Sequence, residues 1–277
     1  MLRIKDALPH IFEKAYPVLE PKTQMLPAMS LLRFHEIDAL PLSFDAAGGQ
    51  QQRPRAVYGY SILARLLLLG PKGLGAFLKQ PCEKASEPLA TVRANDSLST
   101  LLDTFARMRF GFARIEDGRN VGALAGLSDV LGVYDSNMVE TKLAVNDLGT
   151  SRLSMSGKTT LKKALEEMFQ KRYRRIFISE AKDGREFISD RGIIGYVFSP
   201  AILTAIMQDA NSDVLNTPIS AIEKMTAKEV APRTTIRAAA KVLRNEKAGQ
   251  CLVYDGMVVT PWDVVMKPWK TKVLKIN

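Results

Sequence analysis

The chain has 277 residues, 46% apolar and 25% charged, which suits one large domain or two of about 140 residues, each able to bury a core. Its 39 Lys and Arg against 29 Asp and Glu leave a net charge of +10, a balance that favours a polyanionic partner. Two cysteines (Cys82 and Cys251) without zinc spacing and two histidines (His10 and His35) exclude a disulfide scaffold, histidine-based metal sites and most catalytic triads.

The opening Met1-Leu-Arg-Ile-Lys-Asp lacks the apolar run of a secretion signal. The stretch Ile62–Leu69 is interrupted by Arg65 and too short to span a bilayer, so a cytoplasmic protein with no membrane partner is expected. Residues 1–138 carry 16 basic and 14 acidic groups, whereas residues 139–277 carry 23 and 15, so the charge excess falls on the second half of the sequence.

Four ungapped windows align along the chain: Pro21–Leu42, Ala94–Ile115, Gly157–Ile178 and Pro232–Val253. The third position of each offers a side-chain oxygen to open a helix, at Thr23, Asp96, Thr159 and Thr234. Apolar residues then recur in steps of four and three: Met25, Met29, Leu32; Leu98, Leu102, Phe105; Leu161, Leu165, Met168; Ile236, Ala240, Leu243. That spacing is one buried helix face. A strand-like run follows each helix (Ala39–Leu42, Ala113–Ile115, Ile176–Ile178, Cys251–Val253). A turn-rich segment comes next, and a second apolar run then leads into a second helix (Val57–Leu69, Val121–Val133, Ile193–Ile206, Met257–Met266). Each unit thus reads as an α+β layer of roughly 70 residues, marginal for folding alone and expected to pair.

The arrangement resembles the cystathionine-β-synthase (CBS) domain, over about Tyr16 to Pro268. The resemblance is clearest in the fourth copy, in Lys224-Met225-Thr226, Thr234-Thr235-Ile236 and Val259-Thr260-Pro261-Trp262-Asp263. It implies an α+β fold of four tandem strand-helix-strand-strand-helix repeats forming two pseudo-twofold modules: residues 1–138 (repeats about 10–70 and 80–135) and residues 139–277 (repeats about 141–208 and 214–268, with a basic tail). It also implies a non-catalytic protein, with an adenosine-type ligand (AMP, ADP, ATP or S-adenosylmethionine) in a cleft between paired repeats and no required cofactor.

The family pattern Thr/Ser-x-x-Asp, whose carboxylate can accept ribose hydroxyls while helix-start amides face phosphates, survives as Thr260 and Asp263. The alternative is a plain helix cap. The resemblance adds Met225 and Thr226, and also Asp129, although Gly126 stands in place of the hydroxyl. The first copy offers Ser61 but Ala64 and Arg65 in place of the acid, and the third offers Phe198 and Ala201, so ribose binding is not expected there.

Polyanion contact has three candidate surfaces. Lys171-Arg172-Tyr173-Arg174-Arg175 would, if extended, send Arg172 and Arg174 to one side and Tyr173 and Arg175 to the other. The C-terminal Trp269, Lys270, Lys272 and Lys275 combine cations with a stacking ring, unless Trp269 packs on the last helix. The loop from Gly48 to Arg53 and Arg55 is polar and basic. Ser156-Gly157-Lys158-Thr159 only mimics the end of a phosphate loop, since Arg152 replaces its first glycine.

The combined expectation is a nucleotide-responsive regulator docking on RNA, including the ribosome. An adenylate-sensing subunit for a protein partner, resembling the gamma subunit of AMP-activated protein kinase, and a ligand-free scaffold stand beside it. Self-association through the modules as a homodimer is compatible with each.

Overall fold

The computed structural model describes residues 2–14, 16–35, 37–43, 53–108, 110–117, 123–136, 138–207, 213–246 and 250–276. Its helices in chain order are α1 (Ile4–Ala7), α2 (Met25–His35), α3 (Gly59–Leu78), α4 (Leu98–Met108), α5 (Leu127–Asp135), α6 (Leu161–Lys171), α7 (Asp190–Val197), α8 (Pro200–Met207), α9 (Ile236–Asn245) and α10 (Pro261–Lys270). The four repeat-opening helices α2, α4, α6 and α9 bury every apolar position that the spacing singled out, from Met25 to Leu243. Truncating one of these to alanine, as in Leu165→Ala, costs about 2–5 kcal/mol through lost contacts and a residual cavity.

The helix starts sit one residue later than the third-position oxygens suggest. Thr160 and Thr235 are the caps, accepting from Lys163 N at 3.4 Å and Ala238 N at 3.3 Å. Ser97 accepts from Thr100 N at 3.1 Å, while Asp96 closes the preceding turn by accepting from Arg93 N at 2.8 Å. The preceding turn uses the earlier residue, and the chain enters the helix only when the first apolar side chain reaches the core.

The described chain forms two compact units, and they do not follow the division at residue 138. Unit 1 comprises residues 1–16, 89–151 and 227–277; unit 2 comprises residues 17–88 and 152–226. Each unit therefore takes one repeat from either half of the sequence. The physical reason is the buried helix faces: Met29, Leu32 and Leu63 share one core with Leu165, Met168 and Ile193, and Leu102 and Phe105 share another with Ala240, Leu243 and Val264. The charge changes with this grouping. Unit 1 holds 19 basic and 14 acidic residues and unit 2 holds 20 and 15, so each carries +5 and the lopsidedness seen along the sequence disappears.

In unit 2, Ala39–Pro41, Arg55–Tyr58 and Glu87–Pro88 form an antiparallel sheet. A second sheet runs in the order Met225–Thr226, Glu186–Ser189, Arg175–Ile178, Ser154–Met155, the last pair parallel. In unit 1, Thr91–Arg93 lies parallel to Phe112–Glu116, which pairs antiparallel with Ala123–Gly126. Its other sheet runs Lys228–Glu229, Leu252–Tyr254, Met257–Val259, Thr150–Ser151. The C-terminal Lys275–Ile276 pairs with Val139–Glu140. The apolar run Ile193–Ile206 is not one helix: it breaks at Ser199-Pro200, where proline cannot continue the ladder of α7.

Candidate functional site

The register of the strand hairpins places the equivalent positions in every copy. Tyr58, Gly126 and Ser189 lie opposite Ala39, Phe112 and Arg175 and open α3, α5 and α7; Thr260 follows Val259 and opens α10. The acid position, three residues on, is therefore Ser61, Asp129, Gly192 and Asp263 in the four copies. This corrects two assignments. Ser61 occupies the place of the acid and not of the hydroxyl, and Phe198 and Ala201 lie beyond the helix start, where Ser189 and Gly192 are the true counterparts. Ser189 caps α7 by accepting from Gly192 N at 3.1 Å.

Asp263 is buried and fully engaged. Its Oδ2 accepts from Thr260 N at 2.9 Å and Thr260 Oγ1 at 2.7 Å, and its Oδ1 lies 3.2 Å from Lys267 Nζ. Lys267 also donates to the Leu148 carbonyl. Asp129 repeats the geometry with half of the cap. Gly126 N donates to Oδ2 at 2.8 Å, and glycine has no hydroxyl to add. Its Oδ1 accepts from Lys14 Nζ at 2.5 Å and lies 3.2 Å from His10 Nε2. The Tyr16 hydroxyl is pushed to a higher pKa by burial and by the Asp129 charge. Both carboxylates thus give one oxygen to the helix start and the other to a cation. Met225 and Thr226 belong to the other unit, where they form the edge strand beside Glu186 and Phe187.

The basic run of the third copy is not an extended comb. Arg172 ends α6 in the left-handed conformation (φ 59°), which breaks the alternation before it begins. Tyr173 packs against the core of unit 2, and Arg175 starts the strand opposite Ser189. Arg174 is drawn into an ion cluster: Nε donates to Asp190 Oδ2 at 2.7 Å and Nη2 to Asp38 Oδ1 at 2.7 Å. Arg191 completes it, with Nη2 2.9 Å from Asp38 Oδ2. Burial raises the pKa of Asp38, but the Arg174 and Arg191 guanidiniums outweigh it and hold the carboxyl well below the usual range. The Arg174 guanidinium also lies over the Tyr60 ring, 5.7 Å from its centroid.

Arg55 ties its strand to the next segment, donating to Ser86 Oγ at 2.7 Å and to the Ser86 carbonyl. Arg53 is exposed, and Gly48 to Gln52 lie outside the described residues. Trp269 packs on unit 1 and donates Nε1–H to Asp103 Oδ1 at 3.0 Å, whereas Lys270 is exposed with its Nζ 5.3 Å from the Trp262 ring centroid. Lys272 is exposed at φ 55°, and Lys275 is paired by its backbone with Glu140. The phosphate-loop mimic is occupied by a carboxylate from its own unit: Glu180 accepts from Gly157 N at 3.0 Å and from Ser156 Oγ.

Sequence reasoning missed His10, Lys14, Asp38, Asp190 and Arg191. Asp38 and Arg174 do occupy the same eighteenth position of their aligned windows, a signal that a search for oppositely charged equivalents would find. His10 and Lys14 carry no such signal, since they lie more than a hundred residues from Asp129. Among the described residues no group of His, Cys, Asp and Glu could hold a metal ion, and no helix is long and apolar enough to cross a membrane.

No family model and no curated protein sequence matches the chain. Among solved structures, protein MJ1225 from Methanocaldococcus jannaschii, described as a proposed archaeal homologue of the AMP-activated kinase gamma subunit, superposes with a TM-score of 0.77 at 14% identity. The match covers 96% of this chain and 99% of that one. The CBS-domain protein ATU1752 from Agrobacterium tumefaciens matches at 17% identity and TM-score 0.38, over 47% of this chain and 92% of its own. The CBS-domain protein PAE2072 from Pyrobaculum aerophilum, solved with AMP, matches at 16% identity and TM-score 0.35, over 46% and 89%.

Proposed function

We propose that this chain, which has the fold of the tandem CBS-domain proteins, is a non-catalytic cytoplasmic regulator that binds an adenosine-type nucleotide at the helix starts of unit 1. The observation that carries the reading is the pair of buried carboxylates, Asp129 and Asp263, each with one oxygen in the cap and the other on a cation. A buried carboxylate needs hydrogen-bond donors, and the hydroxyls of a ribose can replace a lysine ammonium in that role. The displaced Lys267 and the first-turn amides of α5 and α10 then stand close to where phosphates would lie. Unit 2, with Ser61 and Gly192 at these positions, offers no carboxylate there.

Thermal unfolding with millimolar AMP, ADP, ATP or S-adenosylmethionine tests this. A ligand at a hundred times its Kd adds about 2.7 kcal/mol, readable as an upward shift in Tm. Absence of any shift in the wild type overturns the reading.

Docking on RNA or the ribosome is a narrower proposal, resting on the exposed Arg53, Arg172, Lys270 and Lys272. Neither unit is more basic than the other, and Arg174 and Arg55 already serve contacts within unit 2. Co-sedimentation with ribosomes that weakens steeply with salt supports it. Absence from that fraction leaves a protein partner.

A further inference from the structure

We propose that the N-terminal segment is a built-in competitor for the ligand at Asp129, with Lys14 holding the oxygen that a ribose hydroxyl must take. The inference rests on the nucleotide reading above and adds its regulation. Three observations carry it.

The segment is firmly seated up to Ile11. Ile4 N donates to Asp96 O at 2.9 Å, Leu98 N to Leu2 O at 3.0 Å, and Ile4, Leu8 and Ile11 are wholly buried in the core of unit 1. Beyond Ile11 the character changes. Glu13 and Lys14 are exposed residues, yet the Lys14 ammonium reaches back to an Asp129 side chain that is only 4% exposed. The tether thus delivers a cation to one chosen oxygen, and His10 Nε2 meets the same oxygen at 3.2 Å.

The second acid of unit 1 is held differently. Lys267 sits on the same helix as Asp263, one turn on, and cannot leave without unwinding α10. It can only swing. Lys14 reaches Asp129 from a separate segment, so Asp129 is the acid whose cation can be withdrawn by moving a short stretch of chain.

The hold is also of the right size to yield. An ion pair whose lysine is 47% exposed is worth no more than about fivefold in an equilibrium constant. Nucleotide binding at Asp129 should be weakened by the reciprocal of the fraction of molecules in which Lys14 has let go.

The test uses AMP and the full chain, in the Asp263→Asn background, so that Asp129 is the one carboxylate left at the acid position. Titration calorimetry compares D263N with D263N carrying Lys14→Gln or, as an independent second variant, Lys14→Met. The unfolding transition of each variant confirms that it folds. Tighter AMP binding by about three- to fivefold without Lys14 is expected. Equal binding overturns the competitor, and weaker binding overturns it in favour of Lys14 as a phosphate contact. AMP bound by the wild type but by none of the D263N variants overturns it while leaving the nucleotide reading intact. No binding of AMP by any form, wild type included, removes both.

Discussion

The two units use one element order, yet they place their ionic residues differently. At the residue preceding the first hairpin strand, unit 2 has Asp38 in one repeat and Arg174 in the other, and Asp190 and Arg191 extend the pair into a cluster. Unit 1 has Gly111 and Gln250 near the same places. Gly111 accepts from Leu127 N with its carbonyl, and Gln250 turns its Oε1 to Cys251 N at 2.9 Å. The carboxylates of unit 1 appear one strand later, at the helix starts, each against a lysine. In unit 2 the acids Asp38 and Asp190 bind the repeats to each other, whereas the acids at the helix starts of unit 1 are the ones proposed to meet a ligand. What separates them is whether the acid's partner is a fixed guanidinium fork or a flexible lysine.

The largest expected effect tests the first half of that contrast. Arg174→Ala removes the cation from Asp190, whose side chain is 5% exposed, and from Asp38. Breaking one member of a buried pair costs about 3–5 kcal/mol, and the 39% exposure of the Arg174 side chain lowers this to about 2–3 kcal/mol. Denaturant unfolding that shows a loss under 1 kcal/mol would make the cluster decoration, not cohesion.

The second half is tested by ligand. Asp129→Asn and Asp263→Asn together should abolish the nucleotide-induced stabilisation, a loss of about 5–10 °C in Tm for a chain of this size at a ligand concentration a hundred times Kd. Ser61→Ala and Gly192→Ala, the equivalents in unit 2, should leave it unchanged. The Cβ of Gly192→Ala meets nothing closer than 3.5 Å, so that control should fold. Retention of the shift in D129N/D263N would move the ligand out of unit 1.

A smaller effect concerns acid. Asp38 has a folded pKa below its unfolded value, because Arg174 and Arg191 outweigh the penalty of burial. Its stabilisation is therefore fully present above the unfolded carboxylate pKa of about 4 and declines as pH falls through the folded value. The stability gap between wild type and Asp38→Asn should narrow between pH 7 and pH 3. A gap that widens on acidification would mean that the guanidiniums do not stabilise the Asp38 charge.

The repeats were legible because each opening helix shows a clean four–three apolar spacing, and every one of those residues is buried. The grouping of repeats into units was not, because helix amphipathicity says that a face is buried and not against which other face. The charge imbalance misled for the same reason: it was counted along the chain, and the cores of Leu165 with Met29 and of Leu243 with Phe105 regroup it. At the site, Thr260 and Asp263 were legible through the family pattern that the fourth copy keeps. The misplacement of Phe198 and Ala201 came from reading one long helix across Ser199-Pro200, where the proline marks a break. Lys14 and His10 reach Asp129 only through the folded path of the N-terminal segment, which no local pattern encodes.

The smallest effect sharpens the comparison inside unit 1. Gly126 and Thr260 are equivalent caps, but only Thr260 adds a hydroxyl to the Oδ2 of its acid, at 2.7 Å. Gly126 has an extended backbone (φ −118°, ψ 174°), so no left-handed conformation requires glycine there. A Cβ at Gly126 would lie 3.6 Å from Asp129 Oδ2 and 3.7 Å from the Gly111 carbonyl, ordinary contact distances. Gly126→Ser should therefore stabilise the fold by about 0.3–0.5 kcal/mol, since serine exceeds glycine as a cap by a few tenths and also stiffens the unfolded chain. Thermal unfolding checks the sign. Destabilisation would mean that Oδ2 of Asp129 is not free to accept a second donor, and that the two helix starts of unit 1 are less alike than their geometry indicates.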